Sequence, residues 1–598
     1  MTKILLTVFI LCTTMALSFS QKEDHIWISN WSRNDDCTNS PWPELCGASV
    51  VDFNQLPPAV YKGEGMTLDL IESNTSLCNQ NGELILYSNG MSVHDTSNTF
   101  IEGAKRINDT PMWDWLSWEN EFGEIQSQGR RIAGGIGFIP IPNQEDSYWL
   151  LYHNSENESE TGYHELWTSK IVKYDDENFS IVLKDSLVND EIHRMGDITA
   201  CRHANGRDWW MLQFGKDKVY SYLIDPSGIH LDHIQMLPFS LRTMCLGQSK
   251  FSSQGDQFAL TGVVNFGVPE GNDFVYAGFD RGTGKLIDPK YLKLNGRRDL
   301  SSGLEFSPDG SLIYLSYSDR ILQFDIATDN VLDNLIEVAK VDSMTCPNID
   351  PIVIIFGQLQ LGADQKIYSA IAGTCHFMHR IERPNEKGID CMVTERAITL
   401  PTFHFGTIPN FNTRRLGPLD GSVYDTLGID NLPVSRFWYE QDSTDYLSVQ
   451  FWDVSYFRPE MWQWDFGDGE NSTDLSPMHS YDEKGVYEVC LTVSNENDSH
   501  TSCQEINIGT SAIGDQPKEY AISLFPNPVE EYTRLLIHDY LPENARMIIY
   551  DASGKRVHSV KVRGGENNIY LGGLSQGVYV YEILDVGVWV YGGKFVKT

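Results

Sequence analysis

The stretch Phe306-Ser307-Pro308-Asp309-Gly310-Ser311-Leu312-Ile313-Tyr314-Leu315-Ser316 decides the fold. Pro308 presets φ for a turn, the Asp309 carboxylate accepts from nearby backbone N–H groups, and Gly310 tolerates positive φ, so the chain must reverse tightly here. The run after it is a strand, and "RILQFDIAT" from Arg320 reads as another, closed by a second polar turn. The same plan recurs at "CNQNGELILYSNG" from Cys78, "IPNQEDSYWLLYHNS" from Ile141, "CRHANGRDWWMLQFG" from Cys201, "FSSQGDQFALTG" from Phe251 and "LGADQKIYSAIAG" from Leu361. Six copies spaced by about 50–65 residues match four-stranded units with loop insertions. Helical periodicity is nearly absent, so the chain reads as all-β.

The Ser-Pro-Asp-Gly unit resembles the blades of WD-type and TolB-like β-propellers. Seven blades are expected, with six as the alternative. The seventh would combine residues 26–70 with strands near 395–412, because closing the ring with both ends of the segment removes exposed edges. "NGELILYSNGMSVHD" followed by "QGRRIAGGIGFIPIPNQEDSYWLLYH" also resembles the opening of propeller proteins on the surfaces of gliding and related Gram-negative bacteria. In that group a propeller precedes a polycystic-kidney-disease (PKD) domain and a sorting tail. The resemblance implies an architecture and no shared reaction.

Further along, "WQWDFGDGENSTDLSPMHSYDEKGVYEVCLTVSN" carries Trp464, Asp465, Phe466, Gly467, Asp468 and Gly469. Trp464 and Phe466 alternate into one face while the two glycines allow sharp turning between acidic groups. The segment resembles a PKD domain over 434–509, which implies an Ig-like sandwich acting as a spacer or adhesive module. Asp465, Asp468 and Glu470 raise the question of structural calcium, but their spacing lacks the ligand pattern of an EF-hand loop. Turn-stabilising acids are the favoured reading, and no cofactor is expected.

After the small, polar stretch 510–519, read as a linker, come "LFPNPVEEYTRLLI", "RMIIYDASGKRVHSV", "IYLGGLSQGVYVYEIL" and "GKFVKT". Pro526 and Pro528, flanking Asn527, cannot donate ladder hydrogen bonds and hold the chain extended before the first strand. Asp551 to Gly554 is a hairpin turn, Gly577 and Tyr579 open a later strand, and Gly593, Lys594 and Phe595 belong to the last. Element by element, 520–598 resembles the type A C-terminal sorting domain of type IX secretion, whose machinery is the implied partner.

The N-terminus fits this address. Lys3 precedes an apolar run, and Ser18 and Ser20 stand at the −3 and −1 positions of a cleavage site. Residues 1–20 thus read as a secretory signal peptide, too short for a membrane span. The bulky Leu11 before Cys12 argues against a lipoprotein. Of 11 cysteines, Cys12 falls in this leader, and the even remainder suits disulfides in an oxidising compartment. Cys490 and Cys503 lie on facing runs around "NENDSH" and are the clearest pair. Cys37 with Cys46 or Cys78 is a weaker one.

Composition narrows the partners. With 82 acidic against 45 basic side chains the net charge is −37, which repels nucleic acids and anionic membranes. No later stretch reaches the length of a transmembrane helix. At 41% hydrophobic and 12% aromatic residues, the chain can form real cores.

Chemistry-bearing clusters are few. Cys375, His376 and His379, with Cys391 and His404 downstream, carry zinc-ligand residue types, but no C-x-x-C companion exists. A disulfide from Cys375, to Cys391, is favoured. Trp113, Trp115 and Trp118 beside Asp114, Glu119 and Glu121 are what a glycan platform would use. Alternation of Trp113 and Trp115 on one strand face makes core packing simpler. Trp209 and Trp210 read as core. A G-x-S-x-G pattern occurs at Gly573–Gly577, inside the sorting segment and leading into a strand, not into the helix a nucleophile elbow requires, and no H-E-x-x-H is present.

The sequence therefore reads as a signal peptide (1–20), a propeller (22–425), a PKD domain (434–509), a linker (510–519) and a sorting domain (520–598). The favoured function is a non-enzymatic, secreted or surface-attached protein whose propeller recognises a protein or glycan partner. The competing reading is a carbohydrate-active enzyme, a glycoside hydrolase or lyase, using carboxylates of propeller loops. Deleting 520–598 should leave the protein in the periplasm. Immunoblotting of cell fractions checks this, and undiminished appearance of the truncated chain outside the cell would overturn the sorting assignment.

Overall fold

The computed structural model describes residues 22–30, 45–66, 68–70, 73–109, 117–119, 125–127, 135–154, 163–175, 178–194, 198–241, 245–263, 272–294, 302–317, 319–327, 335–341, 356–371, 374–405, 408–413, 415–441, 445–508, 522–525, 529, 531–537, 546–551, 555–563, 565–585 and 588–598. The chain forms two compact units. One runs to Glu440 and includes 450–477 and 489–504; the other holds 441–449, 478–488 and 505–598.

Among the described residues, the first unit is built on seven antiparallel meanders of three or four strands between Ile26 and Phe405. Five have four strands, spanning 136–194, 199–236, 245–294, 302–340 and 356–405, and two have three, spanning 26–63 and 75–95. All six repeats land on the reversal between the first and second strand of a sheet. At the diagnostic one, Asp309 Oδ1 accepts from Ser311 N at 2.9 Å and Ser307 Oγ at 2.6 Å, while Gly310 takes φ 73°. In the last copy Gln365 adopts φ 62° at that position, without glycine. Turn geometry is kept there while the motif is lost.

Burial falls from the first two strands outward. Trp209–Phe214 and Ile367–Ile371 are buried at every residue, whereas the fourth strand Gly228–Met236 is half-buried or exposed throughout. Second strands are apolar on both faces because each sheet packs against a neighbour on either side. Seven apolar clusters fill the seven gaps between consecutive sheets. Trp209 serves the gap between the third and fourth sheets, and Trp210 the next one. The seventh gap joins Trp27, Val51 and Phe53 of the first sheet to Tyr368, Ala370 and Ile398 of the last. This is a seven-bladed β-propeller.

Closure differs from expectation in its means. Residues 26–63 make a sheet by themselves, and Val393–Phe405 is the outer strand of the last sheet. The two meet by side-chain packing and a 2.6 Å hydrogen bond between Ser49 Oγ and Thr402 Oγ1, and no ladder joins them. Ring contacts among Trp27, Phe53 and Tyr368, with centroids 4.7–5.5 Å apart, supply shape-specific packing in place of a shared sheet.

The segment after the last blade turns back along the inner strands. Asn410 Nδ2 donates to Ile136 O at 2.9 Å and Ile198 O at 2.8 Å. Asn412 Nδ2 donates to Phe138 O at 2.8 Å while its Oδ1 accepts from Ala200 N at 2.9 Å. Ile408 N donates to Gln358 Oε1 at 3.2 Å. Inner strands of a propeller have no ladder partner on the channel side, so these amides satisfy groups that would otherwise need water.

In the PKD segment, Trp464 is fully buried against Phe437 and Phe451, with centroids 5.1 and 5.4 Å away, and Phe451 also meets Phe466. Gly467 and Gly469 take φ 79° and 96°. Asp465 Oδ1 accepts from Gly467 N at 3.0 Å, and Asp468 Oδ1 from Glu470 N at 2.9 Å, so both acids serve the turn backbone. Cys490 and Cys503 form a disulfide.

Within the second unit, sheets Ile522–Phe525, Tyr532–Ile537, Gly565–Tyr570 and Arg556–Lys561, Arg546–Tyr550, Gly577–Asp585, Val588–Lys597 enclose one apolar core. Tyr579 stacks on Phe595 at 5.4 Å, and Asp551 N donates to Lys555 O across the hairpin turn. Gly593 and Lys594 lie on the last strand. Pro526, Asn527, Pro528 and Gly554 lie outside the described residues.

Asn410→Ala should strip a donor from each of two carbonyls, Ile136 O and Ile198 O, and cost roughly 2–6 kcal/mol, at about 1–3 kcal/mol per buried group left unpaired. Urea denaturation of the full chain followed by tryptophan fluorescence measures it. A loss below about 0.5 kcal/mol, the scale of an ordinary surface change, would show that the segment does not brace the inner strands.

Candidate functional site

Three successive inner strands place a polar residue at one repeated position, directly before the last residue of the strand: Lys250, Glu305 and Gln360. Equal position in equal strands points these side chains the same way, into the channel. Lys250 Nζ donates to Gln360 Oε1 at 2.6 Å and lies 3.7 Å from Glu305 Oε2. Glu305 also accepts from Phe306 N at 3.0 Å and Leu361 N at 2.9 Å. Both charged side chains are about 5% exposed, at 5% and 6%. Burial pushes the Lys250 ammonium below its ordinary range and the Glu305 carboxyl above its own, and each charge works against the other's shift. Below them Gln248 accepts from Leu304 N at 3.0 Å and Leu359 N at 2.9 Å, linking three blades through one amide.

These groups form part of the wall of a cavity of about 430 Å³. Its ionisable lining is Asp24, Lys250, Glu305, Arg415 and Arg458. The Arg415 guanidinium is ion-paired with Asp24 and lies 4.8 Å from the Tyr456 ring centre, while its buried Nε faces no acceptor. Tyr456 and Phe457 also line it, and Phe251 and Phe411 contribute to its wall from positions whose rings are buried in the core clusters behind it. Phe457 and Arg458 are consecutive non-glycine residues with φ 62° and 54°. Behind the wall Arg281, 3% exposed, donates to His203 O and to Gly417 O, and its Nη1 also lacks an acceptor. Burial, and the charge of Arg458 nearby, hold the Arg281 guanidinium below its ordinary range.

The sequence-expected sites fall elsewhere. Trp113 and Trp115 lie outside the described residues, and Trp118 sits on the short strand Ser117–Glu119 with its side chain undescribed. Cys375, His376 and His379 on Thr374–Ile381 face His404 on Val393–Phe405. Cys375 is disulfide-bonded, but Cys391 is a free thiol against Tyr314, which corrects the expected pair. His404 Nε2 donates to Phe377 O at 2.8 Å and His379 Nδ1 accepts from Arg396 N at 3.2 Å. Burial keeps their pKa values near about 4 and about 3, so both rings are neutral structural groups. Among the described residues, no group of three His, Cys, Asp or Glu side chains could hold a metal ion. Sequence reasoning missed Lys250, Glu305 and Gln360, although aligning "SKFSSQG", "LEFSPDG" and "LQLGADQ" shows a polar residue at one position in each.

Two family models match the chain: "PKD domain" over 441–509 and "Secretion system C-terminal sorting domain" over 523–597. The pre-pro-metalloprotease PrtV of Vibrio cholerae serotype O1 (strain M66-2) is 35% identical over 79 residues, 13% of this chain and 9% of that protein. Collagenase ColA of Clostridium perfringens (strain 13 / Type A) is 37% identical over 67 residues, 11% of this chain and 6% of the other. The chain thus spans less than a tenth of either relative. Among solved structures, the PKD1 domain from the Vibrio cholerae metalloprotease PrtV is 36% identical, covering 13% of this chain and 98% of that one, with a TM-score of 0.12. A putative 6-phosphogluconolactonase from Bacteroides uniformis ATCC 8492 is 13% identical over 64% of this chain and 98% of its own, with a TM-score of 0.34. Residues 441–509 thus match the PKD domain model, and the C-terminal sorting domain marks a secreted or cell-surface protein.

Removing one member of the channel ion pair should cost far more than removing both. Lys250→Met leaves Glu305 buried without its cation, and a loss of about 3–5 kcal/mol is expected. The double variant Lys250→Met/Glu305→Leu should recover most of that, measured by urea denaturation of the full chain. Additive losses would show that the two charges are not coupled.

Proposed function

We propose that this chain is a secreted or surface-attached recognition protein and that its propeller, residues 22–425, is the binding platform. The PKD domain (434–509) is its spacer or adhesive module, 510–519 its linker, and 520–598 its export label for type IX secretion. The supporting observation is the state of the cavity's carboxylates. Asp24 and Glu305 both line it, and each is engaged by a cation, Arg415 and Lys250 respectively. A glycosidase needs one carboxyl group free to give a proton and another free to attack or to activate water. A recognition site needs only a shaped wall with donors and acceptors in place. The wall described above fits the second requirement.

The test is a screen of immobilised glycans and polysaccharides with the mature chain, coupled to chromatography of everything released. Retention without new products is the expected result. Appearance of shortened or unsaturated saccharides would overturn the binding reading in favour of a hydrolase or lyase.

A further inference from the structure

His25, just before the first strand of the propeller, is buried with both ring nitrogens engaged. On one side stands Asn54. Its amide is oriented by its own donations, from Nδ2 to Asp52 Oδ1 at 2.9 Å and to Gly82 O at 2.7 Å. Asn54 Oδ1 is left to accept from His25 Nδ1 at 3.0 Å, which puts the proton of the neutral ring on Nδ1 and makes Nε2 the acceptor. The donor to Nε2 is Arg436 Nη1, 2.9 Å away. Arg436 belongs to the PKD segment, where its backbone N donates to Ser455 Oγ at 3.0 Å and its Nη1 also donates to Tyr456 Oη at 2.9 Å. Its Nη2 crosses to the propeller and donates to Phe53 O. One guanidinium thus clasps the first blade to the PKD loop 455–458.

A guanidinium has donors only. A second proton on His25 therefore sets N–H against N–H and a cationic ring against a cationic fork, so the bond to Arg436 cannot survive it. Nothing beside the ring offsets this. Arg436 faces it from the PKD segment, Arg415 from the chain after the last blade and Lys22 from its own turn, while the adjacent acids Asp24 and Glu23 act on Arg415. Burial, then Arg436 and Arg415, hold the clasped ring down to a pKa of about 2. With the loop lifted, the ring returns to its ordinary value of about 6.5. The clasped value is the lower one, so the clasp is at full strength above about pH 6.5 and weakens about tenfold for each pH unit below it.

The remaining contacts suit release. Arg415, ion-paired with Asp24, lies 4.8 Å from the Tyr456 ring centre, and Lys366 Nζ lies 4.3 Å from that of Trp438. Such polar, cation-on-ring contacts are typical of domain faces that part and rejoin. Tyr456, Phe457 and Arg458 line the cavity together with Ser253, Pro308 and Gln365 of the propeller turns, so the position of this loop decides how open the cavity is. We propose that His25 and Arg436 form an acid-released latch, which holds the PKD loop 455–458 against the cavity at neutral pH and frees it when His25 takes a second proton. This goes beyond the recognition reading and does not rest on it.

Single-molecule energy transfer in the mature full chain tests the latch, with dyes at the exposed positions Ile389 of the propeller and Leu475 of the PKD domain. The ratio of separated to docked molecules should be about tenfold higher at about pH 5.5 than at about pH 7.5. His25→Gln keeps an acceptor for Arg436 but takes no proton, and should abolish the pH response. Arg436→Met should raise the ratio at both pH values. A wild-type ratio that does not change with pH, including one with no separated molecules at either value, would overturn the proposal. So would a His25→Gln response equal to that of the wild type. Loss of the propeller's cooperative unfolding transition at the lower pH would overturn it as well, because the response would then be global unfolding.

Discussion

Everything in the first unit depends on the gap between its last sheet and its first. A ring of sheets gains stability only when each sheet has a neighbour on both faces, because second strands such as Trp209–Phe214 and Ile367–Ile371 are buried on both sides. Six gaps join sheets that are consecutive in the chain. The seventh must join Trp27, Val51 and Phe53 to Tyr368, Ala370 and Ile398, residues more than 300 positions apart. It does so with interlocking rings and one buried hydroxyl pair, and without a hydrogen-bonded ladder. Shape complementarity among large side chains therefore carries the closure, so this gap is where loss of a single ring would be felt most.

Once the ring is closed, the channel faces a polar problem of its own. Seven inner strands converge with one edge each without a ladder partner, so their backbone groups need other hydrogen-bond partners. Two solutions coexist. At one part of the channel, Asn410 and Asn412 carry backbone-like amides into contact with the carbonyls of strands Ile136–Pro140 and the chain just before Thr199–Arg202. Elsewhere, Gln248 and Glu305 bond the backbone of neighbouring blades, and Lys250 reaches across to the side chain of Gln360. The first solution uses the protein's own chain as a filler. The second leaves a cavity beside the ring of polar side chains.

How much of this was legible follows from which forces write themselves into local sequence. Turns do, because a positive φ selects glycine or asparagine, and Asp309 with Gly310 marks its blade plainly. Where tertiary packing holds the turn instead, as at Gln365, the motif fades while the geometry remains. The PKD core was legible because Trp464 and Phe466 alternate on one strand and glycines flank them. Closure was not, since packing between distant rings leaves no spacing to read, and the expected strand sharing near 395–412 gave way to side-chain contact. Cys391 shows the same limit: proximity in sequence to Cys375 suggested a bond, but the thiol is committed to Tyr314.

The candidate site was hidden for a related reason. Lys250, Glu305 and Gln360 each look like the polar half of an alternating strand, which is the commonest appearance of a solvent-facing residue. Only the repeat shows them to be equivalent, and only the ring turns equivalent positions toward one point. A lysine, a glutamate and a glutamine at the same place in three blades cannot all serve a symmetric structural need. Symmetry would have been satisfied by three glutamines, each bonding its neighbour as Gln248 does. Charge was introduced into a buried ring of otherwise neutral donors, where it costs desolvation on both partners and returns little net stability. A cost that the fold does not require is best explained by what the charges present to the cavity they line.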